Sequence, residues 1–173
     1  MKKESLVLTL LGDDRPGLVE QLAATVAEHG GNWLESRMAR LGGKFAGILR
    51  LECAPENART LADALCALSG QGLSIELAEP EPAGKTEAAP RPSFTIDVMG
   101  NDRPGIVRQI AAKLAEAPAN IEELESRLES APMAGHPIFH MLATISLDPG
   151  TDAGTLVRQI ETLGDDLSVS VSD

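Results

Sequence analysis

Residues 12–32 read GDDRPGLVEQLAATVAEHGGN, and residues 100–120 read GNDRPGIVRQIAAKLAEAPAN. At an offset of 88, 12 of these 21 positions are identical, and three of the nine differences exchange one aliphatic residue for another. The repeat continues downstream, because the letters LESR at 34–37 return at 124–127. Two copies of one unit predict a duplicated domain rather than a stacked array of repeats.

Each copy predicts the same order of elements, strand–helix–strand–strand–helix–strand. Apolar stretches at 6–11 and 94–98 predict the first strands, and apolar residues at every fourth position then predict amphipathic helices. Pro16 and Pro104 are predicted to occupy the first helical positions, where the missing N–H is not needed. The Gly-Gly pair at 42–43 predicts a hairpin turn in the first copy.

Two helices can bury their apolar stripes on one face of an antiparallel four-stranded sheet. The predicted fold class is therefore α+β, with two ferredoxin-like βαββαβ domains. Their predicted bounds are 1–78 and 93–173. Between them, residues 79–92 carry four of the chain's eleven prolines and predict an exposed, semi-rigid linker. Domains of this size have small cores, so support from a neighbour is expected, either the sister domain or another chain. A homodimer is expected, and the sequence leaves open whether the copies pair within the chain or between chains.

Composition sets limits on function. The chain of 173 residues is 43% apolar but only 2% aromatic, which argues against stacking of nucleic-acid bases. Its net charge is −11 and neither half is basic, so direct nucleic-acid binding is disfavoured. Apolar runs are too short for a membrane helix, and Cys53 and Cys66 form no CxxC pair. A soluble cytoplasmic protein with both thiols in its core is expected.

The duplicated Asp-Arg-Pro-Gly turn concentrates the polar chemistry. A helix that begins after this turn presents unpaired N–H groups around Gly17 and Gly105, and such groups suit a carboxylate. Asp14 and Asp102 could pair with an ammonium group. A structural interpretation stays open beside this one, because a carboxylate stabilises any helix start and Asn is common in turns.

This pattern resembles the ACT domain, a small regulatory module that usually senses amino acids. The resemblance covers both copies, and a stand-alone pair with this turn is most similar to the glycine cleavage system transcriptional repressor family. It implies a ligand site at the first strand–helix turn and at the start of the second strand, usually completed across a domain–domain interface. The matching positions are 18 residues apart in both copies. The predicted ligand-binding residues are Asp14, Arg15, Gly17, Leu18, Asn32, Asp102, Arg103, Gly105, Ile106, Asn120 and Ile121.

One position departs from the family pattern. A further polar residue of ACT ligand sites lies two places before the Asp, and here that position holds Gly12 and Gly100. The resemblance therefore leaves two interpretations of the site open. It binds a small amino acid such as glycine or serine, or it has lost its ligand and serves only for protein interaction.

The leading hypothesis is a non-enzymatic regulator that senses a small amino acid and controls transcription through a protein partner. By resemblance, that partner is an activator of glycine cleavage genes. The alternative is a ligand-free interaction module that regulates an amino-acid or one-carbon metabolic enzyme. Catalytic motifs, cofactor-binding loops and metal-ligand spacings are not found in the sequence, so catalytic, cofactor and metal sites are not predicted. His140 is interpreted as structural.

Overall fold

The computed structural model describes residues 3–78, 91–130 and 137–172. The chain divides into two compact units, Met1–Lys85 and Thr86–Asp173. The division falls inside the stretch predicted as a linker. Residues 79–90 of that stretch lie outside the described residues, so the limits of the linker and of the domains stay predictions.

The two units have the same order of elements, as the duplicated sequence predicts. In unit 1 these are β1 (Glu4–Asp13), α1 (Leu18–Glu28), β2 (Gly31–Leu41), β3 (Lys44–Cys53), α2 (Pro55–Ala67) and β4 (Leu73–Leu77). In unit 2 they are β5 (Ser93–Asn101), α3 (Ile106–Glu116), β6 (Ala119–Ser130), β7 (Pro137–Leu147), α4 (Ala153–Glu161) and β8 (Ser168–Ser172).

Each unit builds one four-stranded antiparallel sheet. The strand orders are β2-β3-β1-β4 and β6-β7-β5-β8. This is the ferredoxin-like arrangement, and the predicted fold class is confirmed. The first strand of each unit is central, so the turn that follows it lies at the middle of one end of the sheet. Strands β2 and β6 each form an edge.

Helices cover one side of each sheet, here called the helix side, and leave the other as the open side. In α1 the buried residues are Leu18, Leu22 and Val26, four apart as the sequence predicts. The same spacing recurs in α3 with Ile106, Ile110 and Leu114. These stripes pack against alternate residues of the central strands. Full burial of one such aliphatic side chain contributes about 1.5–3 kcal/mol, so these cores are the main source of stability.

The starts of the first helices differ from the prediction. Pro16 and Pro104 are not the first helical residues, because α1 and α3 begin two positions later. The intervening Gly17 and Gly105 have φ of 88° and 86°. Pro followed by a glycine of positive φ is typical of a type II turn, and that turn must close before the helix can start.

The prediction for the cysteines is half right. Cys53 is buried at the end of β3, and burial raises the pKa of its thiol. Cys66 is exposed. It follows the buried Leu65 in α2, and one step along a helix turns a side chain by about 100°, away from the stripe that faces the sheet.

Candidate functional site

The duplicated turn has one geometry in both units. In unit 2 the N–H of Ile106 donates to the carbonyl of Arg103 at 3.2 Å, which closes the type II turn. The carbonyls of Gly17 and Gly105 then accept the first helical hydrogen bonds at 2.9 and 3.0 Å. Neither helix start has a side-chain cap. The N–H groups that follow in the first turn of each helix are thus left for another acceptor.

The arginine of the turn makes the same two kinds of hydrogen bond in both units. Arg15 donates to the Gln71 carbonyl at 2.9 Å and to Gln21 Oε1 at 3.2 Å. Arg103 repeats this with the Leu163 carbonyl at 3.0 Å and Gln109 Oε1 at 3.2 Å. Each arginine therefore ties the turn to the segment that leads into the last strand. A ligand role for Arg15 and Arg103 stays a prediction.

The two glutamines were not among the predicted site residues. Gln21 and Gln109 lie in the helix that follows the turn, and each accepts from the arginine six residues before it. The sequence contains a signal for them, because both belong to the identical positions of the repeat. Their partners could not be inferred, because Gln71 and Leu163 lie more than 50 residues away from the arginines.

We expect Arg103→Met to destabilise unit 2 by about 1 kcal/mol, because it removes a charge-assisted hydrogen bond to a backbone carbonyl at a half-exposed site. Urea unfolding followed by far-UV circular dichroism measures the change. Arg108→Met, on the exposed surface of α3, is the matched control and should be nearly neutral. Equal effects of the two substitutions would show that the hydrogen bond from Arg103 to the Leu163 carbonyl does not contribute to the free energy of unfolding.

The predicted aspartate and asparagine of one unit lie at opposite ends of its sheet. Asp14 follows β1 at the point where Asp13 pairs with Lys44, whereas Asn32 pairs with Glu52. Eight residues of β3 separate these pairs, about 26 Å at about 3.3 Å per residue. Unit 2 has the same separation, because Asn101 pairs with Ile138 and Asn120 with Ser146. One unit cannot bring both predicted residues to one small ligand.

The two aspartates have different surroundings. The Asp14 carboxylate lies 3.3 Å from Nε of Arg40, at the end of β2. The position of Arg40 corresponds to Ser130 in unit 2. Within residues 3–78, 91–130 and 137–172, the Asp102 side chain has no hydrogen bond or ion pair. The Asp102 carboxylate is therefore the better acceptor for an incoming cation.

The asparagines also differ. Asn32 Nδ2 donates to Glu52 Oε1 at 3.1 Å. Hydrogen bonds from Lys3 and then from Asn32 lower the pKa of Glu52, so this carboxyl is held ionised. Asn120 is exposed near the start of β6. The neighbouring Ile121 is 37% exposed.

The glycines that replace the family's further polar residue are enclosed by the last strand. A Cβ on Gly12 would lie 2.8 Å from the Gly72 carbonyl oxygen and 2.8 Å from Cδ2 of Leu73. A Cβ on Gly100 would lie 2.5 Å from Cδ2 of Leu167. The space for an additional side chain is therefore filled by a leucine in each unit.

Comparison with known proteins identifies the fold and the family. Residues 4–77 match the model of the ACT domain. The glycine cleavage system transcriptional repressor of Escherichia coli (strain K12) is 30% identical over 171 residues, covering 96% of this chain and 87% of that protein. The chain belongs to the glycine cleavage system transcriptional repressor family.

The repressor of Shigella flexneri gives the same identity and coverage. Among solved structures, an unknown protein from Galdieria sulphuraria is 26% identical and has a TM-score of 0.82, with 99% of this chain and 98% of that chain covered. The fold is therefore shared over the whole length of both chains. None of the described helices is long and apolar enough to cross a membrane.

The second ACT module carries a cluster of polar side chains around a histidine that the first module replaces with alanine. His140 is buried on the open side, with Nε2 at 2.8 Å from Asp97 and Nδ1 at 2.9 Å from Glu129. Hydrogen bonds from His140 and then from Arg127 lower the pKa of Glu129. The equivalent of His140 in the first ACT module is Ala46, by the strand registers. The described residues hold no metal-binding group of three or more His, Cys, Asp or Glu side chains.

Proposed function

We propose that this protein is a non-enzymatic regulator that binds a small α-amino acid at its Asp-Arg-Pro-Gly turns and acts on transcription through a protein partner. The observation that carries the proposal is the turn itself. It occurs twice with one geometry, a positive-φ glycine and an uncapped helix start. The chain's membership of a family of transcriptional repressors supports the proposed role in regulating transcription.

An α-amino acid has charges that match this turn. Its carboxylate suits the uncapped N–H groups of α3, where the helix dipole also favours negative charge. Its ammonium group suits the carboxylate of Asp102 in a charge-assisted hydrogen bond. The side-chain amide of an asparagine supplies one donor and one acceptor for the remaining contacts.

The opposite positions of aspartate and asparagine require a second ACT module to complete the site. The Asp-Arg-Pro-Gly turn of one module and the second strand of another, β2 or β6, would then each contribute residues that contact one ligand. Binding would stabilise that arrangement, and the arrangement would set affinity for the protein partner. By reciprocity, the partner changes the affinity for the amino acid by the same factor.

The turn of unit 2 is the stronger candidate. An ammonium group arriving at Asp14 has to compete with Arg40, and an exposed ion pair of this kind contributes up to about 1 kcal/mol. Asp102 presents no such competitor among the described residues. A small ligand, glycine or serine, is favoured because Leu167 fills the space beside Gly100.

The protein partner we propose is a transcription activator of glycine cleavage genes, within the cytoplasm. The chain's net charge of −11 disfavours direct contact with DNA, so control by way of a DNA-binding protein fits its charge better. The second candidate is a ligand-free interaction module that regulates a metabolic enzyme. The filled position beside Gly12 and Gly100 is the observation that favours it.

Titration of glycine, serine and then the other amino acids is expected to give a saturable change in Trp33 emission for one small amino acid. Trp33 follows Asn32 directly, packs against the core of unit 1, and is the chain's one tryptophan in the absence of tyrosine. The same ligand should raise the thermal transition, because a ligand that prefers the native state stabilises it. If no amino acid changes Trp33 emission or the thermal transition, while the protein still binds the activator, amino-acid sensing would be contradicted and the ligand-free interaction module favoured.

A further inference from the structure

His140 lies on the open side of unit 2, and both nitrogens of its buried ring meet carboxylates. Nε2 is 2.8 Å from Oδ1 of Asp97 on β5, and Nδ1 is 2.9 Å from Oε1 of Glu129 on β6. An ionised carboxylate has only acceptors, so each ring nitrogen must donate a proton. The imidazolium cation carries both protons, whereas neutral histidine carries one. The arrangement therefore fits the protonated ring.

Arg127 completes this group, and the four side chains Asp97, Arg127, Glu129 and His140 are called the His140 cluster. Arg127 Nε donates to Glu129 Oε1 at 2.7 Å. Hydrogen bonds from His140 and then from Arg127 lower the pKa of Glu129, so this carboxyl is held ionised. Coupling between two groups is reciprocal, so an ionised Glu129 favours a protonated ring at His140. With the ring protonated, the positive and negative charges of the cluster balance.

The other charges on this side of the sheet also favour a cation at His140. The open side of β6 carries Glu123 and Glu125, opposite Thr144 and Leu142 of β7. Arg127 Nη1 lies 3.5 Å from Oε1 of Glu125. The uncharged residues that flank the cluster on the open side are Ile138 and Leu142 of β7, Met99 of β5, and Ser168 and Ser170 of β8. Helices α3 and α4 pack on the other side, against the apolar core.

Loss of one ring proton disrupts the His140 cluster. A neutral imidazole donates from one nitrogen and presents a lone pair at the other. Either Asp97 or Glu129 then faces that lone pair instead of a donor, and two acceptors repel each other. The cluster also gains a net negative charge. Histidine is the side chain that changes its charge between pH 5 and 8, so this disruption belongs to the range around neutrality.

The His140 cluster connects the edge of the sheet to its centre. In the strand order β6-β7-β5-β8, strand β6 is hydrogen-bonded to β7 alone. Through His140, Glu129 of β6 is joined to Asp97 of β5, which lies beyond β7. Glu129 pairs with Ile138, one position before the last pair of the β6–β7 ladder. Strand ends are where local opening begins, so this link acts where β6 is weakest.

The first unit has uncharged residues at two of the equivalent positions and provides an internal reference. By the strand registers, Ala46 is equivalent to His140 and Thr9 to Asp97. The two units share their order of elements and their sheet topology. A pH dependence found in unit 2 but not in unit 1 is therefore attributable to the cluster rather than to the fold.

We propose that the His140 cluster is a pH-sensitive link between strand β6 and the centre of the sheet of unit 2. The link is closed while His140 is protonated and opens when the ring loses a proton. It is a regulatory device of the fold, separate from the amino-acid site proposed above.

The sign of the pH dependence follows from the charges. The fold favours the protonated ring, so the stabilisation from His140 is complete in mildly acidic solution and is lost as the pH rises through neutrality. Glu129 has the opposite sign. Its contribution is present above its ordinary pKa of 4.5 and is lost as the pH falls through its lowered pKa. Strand β6 is therefore held best between about pH 5 and 6.

The link lies beside the candidate ligand site, and its consequence for that site rests on the proposed function. Ser130 follows Glu129 and pairs with Pro137, whose carbonyl accepts the N–H of Asp102 at 3.2 Å. Opening of the link would loosen the strand end that pairs with this anchor of the Asp-Arg-Pro-Gly turn. The pH would then act on the turn as well as on the edge of the sheet.

Amide hydrogen exchange in the whole chain, without any amino acid, tests the link at pH 6 and pH 8. Mass spectrometry compares peptides from β6, residues 119–130, with reference peptides from β2, residues 31–41. The ratio of the two removes the effect of pH on the chemical exchange rate, because that effect acts on both. We expect the protection of β6 relative to β2 to fall about ten-fold from pH 6 to pH 8. This is the factor for the loss of one charge-assisted hydrogen bond at a partly exposed site.

Three variants assign the effect to the cluster. His140→Gln has a polar side chain that does not titrate, so the relative protection should be the same at both pH values. His29→Gln is the matched control, because Nδ1 of His29 contacts the Thr25 carbonyl at 2.8 Å in unit 1, and it should keep the ten-fold fall. Asp97→Asn provides a second test should His140→Gln not fold. Its amide can donate to the ring or accept from it, so the fall should be smaller than in the unchanged chain.

Several results would overturn the proposal. One is an equal response of β6 and β2 to pH in the unchanged chain. Another is a ten-fold fall that persists in His140→Gln, or in Asp97→Asn, when circular dichroism shows a folded chain. Loss of the fall in His29→Gln would assign the effect to the histidines in general and not to the cluster. Since no amino acid is present, each of these results would leave the proposed function standing.

Discussion

Replacing Asp102 with Asn is expected to weaken glycine binding about 30-fold, because an ammonium group loses its charged partner, worth about 2 kcal/mol. The substitution conserves shape, so the type II turn and α3 should be unchanged. Among the described residues, the Asp102 side chain makes no hydrogen bond or ion pair that the change would break. Titration of glycine, followed by Trp33 emission, measures the dissociation constant.

Two related variants make this result specific. Asp14→Asn should have a smaller effect, because Arg40 already neutralises that carboxylate at 3.3 Å. Asp13→Asn removes the same charge one residue earlier, at the end of β1 where Lys44 pairs with it, and should leave glycine affinity unchanged. Equal losses in all three would indicate a general charge effect, and no loss in Asp102→Asn would exclude the proposed ammonium site.

The second large effect is expected on stability, from Gly12→Ala. Its Cβ would meet the Gly72 carbonyl oxygen at 2.8 Å, and this backbone atom directly precedes Leu73, which pairs with Gly12 in the β1–β4 ladder, so it cannot easily move aside. Overpacking of this kind costs about 1–3 kcal/mol. In a unit of this size about 2 kcal/mol lowers the melting temperature by about 10 °C.

The loss should be confined to unit 1, which contains Trp33. The Trp33 emission transition is expected to move to lower temperature, with a second, unshifted transition remaining in circular dichroism. Gly70→Ala is the matched control, because a Cβ there meets nothing within 4 Å and the change should be near neutral. If Gly12→Ala melts like Gly70→Ala, the close approach of β4 is not a constraint.

Much of the fold could be predicted because its signals are local. Apolar residues four apart in both first helices, alternation in the strands and the Gly-Gly hairpin each depend on neighbours in sequence. Because the two copies of the repeat predict the same order of elements, each prediction supports the other. The start of the first helix was wrong because two local signals compete after Arg15, and the type II turn made by Pro16 and Gly17 excludes a helix beginning at the proline.

The candidate site could be predicted less completely. Its residue types follow from the turn and the helix start, which are local. Their partners are not local. Arg15 donates a hydrogen bond to the Gln71 carbonyl, and Arg40 forms an ion pair with Asp14. The partners are so far apart in sequence that no motif predicts either interaction.

By itself, the sequence determined that this protein is a duplicated α+β protein with two copies of one turn, because duplication and periodicity survive in the linear order of residues. Only the tertiary structure decided that Asp14 and Asn32 lie at opposite ends of one sheet. Only the structure decided, too, that Arg40 distinguishes the turn of unit 1 from that of unit 2. The reason is physical. A strand sets which side of the sheet a residue occupies, but antiparallel pairing across β3 sets which residues meet, and that pairing depends on the packed sheet as a whole.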